Sequence, residues 1–259
     1  MRIHLYANCW NDIRMLPYFM RHYLPYVDQF VLFDDHSTDV SVAYLSQYPQ
    51  VEVCPLMRNR PDSFIESMRE LFHHCWKESR GKADWVIVCN VDEHHYHPDL
   101  LGYLEQANED GITVIPSVGY QMVNEEFPEA RTTQSRLCDM INTGVPYSYM
   151  DKIAIFNPNE VDEINYAEGR HSAQPTGNIV YPKQSEVLNL HFKYLSKEYV
   201  IERHAELCSG LRSKDFQQNW GIQYTWDRDK QIKEFDNFAR QAVIVPYHSS
   251  AVSGFREAA

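Results

Sequence analysis

Polar residues able to do chemistry gather at four places in this sequence, each just after an apolar run. The first holds Asn8, Asn11 and Asp12; the second is Asp34-Asp35-His36-Ser37-Thr38-Asp39. The third and richest is Asn90-Val91-Asp92-Glu93-His94-His95, with His97 just beyond. His191 and Lys193 form the fourth, after Val187-Leu188-Asn189-Leu190. A carboxylate at the end of a rigid strand is an oxygen ligand suited to a hard divalent cation that holds a diphosphate. Asp34 and Asp35 could accept hydrogen bonds from a base N–H and from ribose hydroxyls. No glycine-rich phosphate loop of either familiar kind is present, so a diphosphate needs a cation or Lys/Arg partners, Lys193 and Arg69 among the candidates. The plain reading of residues 35–39 is a turn with a helix cap. That of residues 90–92 is a solvated strand end.

These clusters can share a cleft only if the runs before them are strands of one sheet. Residues 3–7, 29–33, 51–54 and 85–91 read as strands, the last a buried, β-branched-rich run. Between them lie a helix over 13–23 capped by Asp12, a short helix over 40–47, and one from an Asp62 cap to about 78. This alternation predicts a parallel, doubly wound α/β sheet, whose ligands bind beyond the carboxyl ends of its strands. Pro98 opens a helix over 99–108, and residues 112–115 continue past Pro116 into 118–123 as a further strand. The rhythm then loosens. Residues 124–150 read as loop with short helices, 152–156 as a strand, 187–192 as a late strand, and 197–207 and 231–240 as helices. A single domain is expected, with a nucleotide-binding half (1–117) and a less regular acceptor-binding half (118–259).

The residues Asn11-Asp12 ahead of Leu16-Pro17-Tyr18-Phe19, then Phe33-Asp34-Asp35-His36-Ser37-Thr38-Asp39, then Asp84-Trp85-Val86 leading to Asn90-Val91-Asp92-Glu93, resemble family-2-type glycosyltransferases of the GT-A fold. The resemblance is to the branch with "NE…L", "D-N-x-S-T-D" and "DW…D-x-DE" signatures. Leu190-His191-Phe192-Lys193-Tyr194 with Ser196 is similar to that branch's "HY…S" segment. The likeness covers residues 1–117 well and the remainder in scattered places.

The resemblance implies transfer of a sugar from a nucleotide-sugar donor, a UDP-sugar, to a carbohydrate or other hydroxyl acceptor. Asn8, Asn11, Asp34, Asp35, Asp39, Asn90 and Lys193 would line the nucleotide pocket, with Asp34 reading the base. Asp92 and His191 would bind Mn²⁺ or Mg²⁺ against the diphosphate. Asn90 stands where the family has the first Asp of its Asp-x-Asp, and Asp12 where it has Glu. For an inverting reaction the acceptor hydroxyl must lose a proton; Asp162, Glu163, Glu168 and His171 follow the 152–156 strand, and Glu168 is favoured with His171 as rival.

Two other functions compete. Asp92 with His94, His95 and His97 could form a hydrolase metal site, since imidazole suits zinc, iron and nickel; the plain alternative leaves these histidines on an exposed loop. Asn90 suggests a non-catalytic sugar-nucleotide-binding module. A formal charge of -12 argues against a protein that grips nucleic acid through its phosphates. The six cysteines lack zinc-finger or CxxC spacing, which points to a reduced, intracellular chain. No signal peptide and no transmembrane run is legible, so a soluble, cytoplasmic protein is expected.

Overall fold

A computed structural model describes residues 1–129 and 134–246. The strands are β1 (Ile3–Cys9), β2 (Gln29–Asp34), β3 (Val51–Pro55), β4 (Trp85–Asn90), β5 (Glu93–Tyr96), β6 (Val114–Val123), β7 (Thr143–Pro146), β8 (Lys152–Phe156), β9 (Val161–Glu163), β10 (Thr176–Gly177), β11 (Val187–Tyr194) and β12 (Val243–Ile244). The helices are α1 (Leu16–Tyr23), α2 (Ser41–Leu45), α3 (Phe64–His74), α4 (Leu100–Glu109), α5 (Leu137–Met140), α6 (Lys197–Gly210), α7 (Ser213–Gln217) and α8 (Arg228–Gln241).

The α/β expectation holds. One ten-stranded sheet runs β12-β7-β6-β8-β4-β1-β2-β3, with β11 on β6 and β5 on β11. The parallel pairs β1–β2, β1–β4 and β2–β3 are the doubly wound half. The strand expected over 152–156 is present as β8; what the sequence pattern did not show is its direction, antiparallel between β4 and β6. A strand of that length reads the same in either direction, so its sense is set only by its neighbours.

Strict alternation along the central strands builds a layer on each face of the sheet. Leu5, Ala7, Ile87 and Cys89 face Leu16, Phe19, Met20 and Tyr23 of α1 and Leu104 of α4. Tyr6, Val86 and Val88 face Phe64, Met68 and Phe72 of α3, together with Trp76. Each such fully buried side chain contributes about 2 kcal/mol of transfer free energy, so the edge carrying the polar clusters stands on a stiff base.

Local differences from the sequence reading have local causes. Asp12 does not cap α1 with its side chain; its main-chain oxygen accepts from Met15 N and Leu16 N. Ser63, not Asp62, caps α3, accepting from Glu66 N. The histidine segment is no exposed loop: residues 93–96 form β5, paired antiparallel with β11, and His94 and His95 are wholly buried. All six cysteines are free. Among the described residues no helix is long and apolar enough to cross a membrane.

Candidate functional site

The ends of β1, β2 and β4 meet at one edge, because Asn8 pairs in register with both Phe33 and Asn90, and Cys9 with Asp34. Adjacent strands lie about 4.8 Å apart, so these strand ends lie side by side, with Asn8 and Asn90 on one face of the sheet and Asp34, in register with Cys9, on the other. Asn8 Oδ1 is buried with no hydrogen-bond partner among the described residues.

Asp92 follows β4 in a tight turn, and β11 delivers His191 opposite Glu93. His191 Nε2 lies 3.2 Å from Asp92 Oδ2. Gln121 Nε2 donates to His191 O at 3.0 Å, which leaves Gln121 Oε1 to accept from His191 Nδ1 at 2.7 Å. The imidazole therefore turns Nε2, not Nδ1, toward the carboxylate. Burial alone would raise the Asp92 pKa, but the charge and hydrogen bond of His191, with Lys193 behind them, win and hold it at about 2. An imidazole nitrogen and a carboxylate this close need a proton or a cation between them, so the pair fits two adjacent ligands of one divalent ion. Among the described residues no third His, Cys, Asp or Glu joins them. Remaining ligands would have to be phosphate oxygens and water, the usual arrangement for Mg²⁺.

Asn90 is turned away from such an ion. Its Oδ1 accepts from Arg170 Nη2 at 2.9 Å and its Nδ2 donates to Glu93 Oε1 at 3.3 Å. Beneath the turn lies a buried ionic cluster that the sequence reading missed. Glu93, 1% exposed, takes Arg170 Nη2 at 2.9 Å and Lys152 Nζ at 3.3 Å, and its Oε2 accepts from Asn90 N at 3.0 Å. Burial would raise the Glu93 pKa, but the two cations hold it well below the usual range. Arg170 also donates to Val88 O at 2.8 Å and lies 4.6 Å from the Phe72 ring centre. Nothing in the sequence marks Arg170 or Lys152 as more than ordinary cations.

The predicted nucleoside residues divide into two kinds. Asp34 is half-buried, and its two carboxylate oxygens accept from Ser37 N at 3.1 and 3.4 Å. Asp35, 2% exposed, is instead gripped by Arg58, whose Nε donates to Oδ1 at 2.9 Å and Nη2 to Oδ2. Both of its carboxylate oxygens are thus taken up by one guanidinium. Asn11 and Asp39 knit the loops together: Asn11 Oδ1 accepts from Thr38 N at 2.7 Å, and Asp39 accepts from Ser41 N at 2.8 Å and Ile13 N at 3.2 Å. Asp12 pairs with Arg203 at 2.8 Å inside a cavity of about 300 Å³ also lined by Asn11, Thr38, Asp39 and Tyr199. Burial raises the Asp12 pKa to about 6 against the pull of Arg203, and Asp92 is close enough to add to the rise.

Lys193, 7% exposed, is stacked on Tyr224 with Nζ 4.3 Å from its ring centre and 3.1 Å from its hydroxyl. The candidate bases part company. Glu168 points to α3, where Arg69 Nη1 meets it at 2.7 Å, and Glu163 pairs with Lys77. Arg69 is thereby committed away from the diphosphate. His171 is exposed and lies beside the site, its Nδ1 donating to Tyr149 O at 2.6 Å.

The hydrolase cluster does not form. Strand alternation sends His94 and His95 to opposite faces of β5. His94 stacks on His22 at 4.8 Å, and His97 stacks on Tyr103 at 4.7 Å.

No family model matches this sequence, and no curated protein matches it. Among solved structures, residues 1–349 of S. aureus TarS are 13% identical to this chain, covering 92% of it and 71% of their own length with a TM-score of 0.39. Glucosyl-3-phosphoglycerate synthase from Mycobacterium tuberculosis, solved with Mn²⁺, UDP and glucosyl-3-phosphoglycerate, is 17% identical over 46% of this chain and 44% of that one, with a TM-score of 0.32. This chain thus matches under half the length of the synthase. Likeness at this level leaves the functional argument to the residues of the chain itself.

Proposed function

We propose that this chain is a divalent-metal-dependent glycosyltransferase of the GT-A kind, moving a sugar from a UDP-sugar to a hydroxyl acceptor. The observation that carries this reading is the Asp92–His191 pair, 3.2 Å apart at the edge where the β1, β2 and β4 ends also present Asn8 and Asp34. Asp34, reinforced by the Asp35–Arg58 pair behind it, holds the nucleoside. Asp92 and His191 hold Mn²⁺ or Mg²⁺, which supplies positive charge to the departing diphosphate. Lys193 adds a fixed cation on the same side. Arg170 and Glu93 keep the turn in shape, and Asn90 serves that turn and not the ligand.

Deprotonation of the acceptor hydroxyl falls to His171 in preference to Glu168. The Nδ1–H of His171 is occupied by Tyr149 O, which leaves Nε2 as the proton acceptor. Desolvation by its neighbours and the nearby Lys152 charge lower its pKa to about 4, so the ring is neutral near pH 7 and its Nε2 carries no proton. Glu168 is neutralised by Arg69. A non-catalytic sugar-nucleotide module is the second reading, favoured by the inward turn of Asn90.

Thermal denaturation with UDP, with and without Mn²⁺, tests the proposal. A ligand selective for the native state raises the midpoint, by about 2.7 kcal/mol of stability at a hundredfold excess over Kd. The expected result is a Mn²⁺-dependent rise that Asp92→Ala abolishes. An equal rise in wild type and variant removes Asp92 from the metal. UDP release from UDP-sugars by the wild type separates enzyme from module.

A further inference from the structure

We propose that Tyr149 and His171 form a shelf on which a pyranose ring of the acceptor stacks, across Asp92 from the nucleoside pocket. The inference rests on the transferase reading above and adds the chemical class of the acceptor.

Topology places the shelf. Because β8 runs antiparallel to β4, its first residue, Lys152, emerges where β4 ends, with Nζ 3.3 Å from Glu93. The 3-10 turn Ser148–Met150 immediately before β8 therefore sits at the same edge as Asn90 and Asp92. Its neighbour on the other flank is His171, next in sequence to Arg170, which binds Asn90. A third line runs along β11: Asn189 Nδ2 donates to Met150 O at 2.9 Å, and two residues on, about 7 Å along the strand on the same face, stands His191. The nucleoside pocket lies in the opposite direction, because β1 and β2 are on the far side of β4 from β8. A diphosphate at Asp92 would thus have its nucleoside on one side and this shelf on the other.

The shelf is rigid and yet open. Tyr147 N donates to Gly119 O at 2.9 Å and Met150 N to Tyr147 O at 2.8 Å. A Cβ at Gly119 would collide with the Met150 main chain, so glycine permits the close approach of the turn to β6. His171 Nδ1 ties down Tyr149 O from above. On this fixed main-chain frame Tyr149 is 61% exposed, so its ring is open to solvent. The Tyr147 ring lies 5.5 Å from it at 35°, and the His171 ring stands edge-on at 5.5 Å and 83°.

That combination fits a sugar ring. A pyranose has a face of C–H groups, which suits the electron-rich face of an aromatic ring, and a rim of hydroxyls, which need hydrogen-bond partners. Tyr149 offers the face, and the polar imidazole of His171 stands edge-on beside it as a partner for the hydroxyl rim. A nucleobase would also stack on Tyr149, but it belongs to the β1–β2 side.

Ligand-observed saturation-transfer NMR on the full chain tests the shelf, using as probes the methyl glycosides of glucose, galactose, mannose and N-acetylglucosamine, with uridine in parallel. At least one glycoside should receive saturation on its ring C–H protons. Its affinity should fall about tenfold in Tyr149→Ala and stay within about twofold in Tyr149→Phe, which keeps the ring face. Absence of glycoside binding to the wild type, equal binding to Tyr149→Ala, or displacement of the glycoside by uridine would each overturn the shelf. UDP binding with Mn²⁺ is read separately in the same samples. Its loss alongside Tyr149-dependent glycoside binding leaves the sugar shelf and removes the transferase, while the reverse removes only the shelf.

Discussion

Arg170 crosses 80 residues of sequence to place its guanidinium 2.9 Å from the Asn90 side-chain oxygen. The same guanidinium meets Glu93 at 2.9 Å and the Val88 carbonyl at 2.8 Å, so one buried cation braces the end of β4 and the turn that carries Asp92. Arg170 adopts this position at a left-handed φ of 57°, a conformation uncommon for a side chain of its size.

Arg170→Met should destabilise the chain by about 3 kcal/mol, the usual cost of leaving a buried partner charge uncompensated. Lys152 still neutralises part of Glu93, which keeps the loss from being larger. Urea denaturation measures it. Arg170→Lys should recover little, because a single ammonium cannot reach Val88, Asn90 and Glu93 together. Full recovery by lysine would show that charge alone matters here.

Gln121 fixes the ring of His191 by accepting from its Nδ1 while donating to the main-chain oxygen of the same residue. Gln121→Leu should lower Mn²⁺ affinity in the presence of UDP about tenfold, as loss of an orienting partner does at other metal sites. Isothermal titration with Mn²⁺ reads it. Unchanged affinity would mean that the His191 ring is oriented without Gln121.

Acid should destabilise this protein from pH 6.5 downward. Burial lowers the pKa of His22 to about 4 and that of His95 to about 3, against an ordinary 6.5. The unfolded chain binds these protons and the folded chain does not. Their contribution is therefore fully present above 6.5 and falls by about 1.4 kcal/mol per group for each pH unit below it, until the folded pKa of each is reached. Asp12 opposes this between its ordinary 3.8 and about 6, because its raised pKa makes its contribution larger at lower pH. The sum still declines, because burial lowers His94 and His204 in the same direction as His22 and His95, against the single opposing Asp12. His22→Phe should flatten the slope of stability against pH between 6.5 and 5; an unaltered slope would assign the acid sensitivity elsewhere.

Asp12 and Arg203 meet at 2.8 Å with side chains 7% and 12% exposed. Arg203→Met should cost about 3 kcal/mol in urea denaturation, and adding Asp12→Asn should restore part of it by removing the stranded charge. A double variant weaker than the single one would show that Asp12 has stabilising partners beyond Arg203, such as the Trp10 amide it accepts from at 2.8 Å.

Much of the first half of the chain was legible from the sequence alone, because period and punctuation are local. The runs before Asn8, Asp34 and Asn90 are apolar and β-branched, and the helices between them carry single apolar faces, so parallel strands with polar ends follow directly. His191 was placeable on the polar face of a late strand, and only the resemblance linked it to Asp92. What the tertiary structure decided was which polar side chains face outward. Asp34 and Asp35 are adjacent in sequence and alike in chemistry, yet Asp34 ends β2 half-buried beside Ser37 while Asp35, just past the strand, is held by Arg58. The histidines at 94 and 95 read as solvated until β11 arrived to pair with them and bury both. Arg170, Lys152 and the Tyr149 turn reach the site because β8 runs backward between β4 and β6. The direction of a strand depends on partners distant in sequence, so no local pattern encodes it.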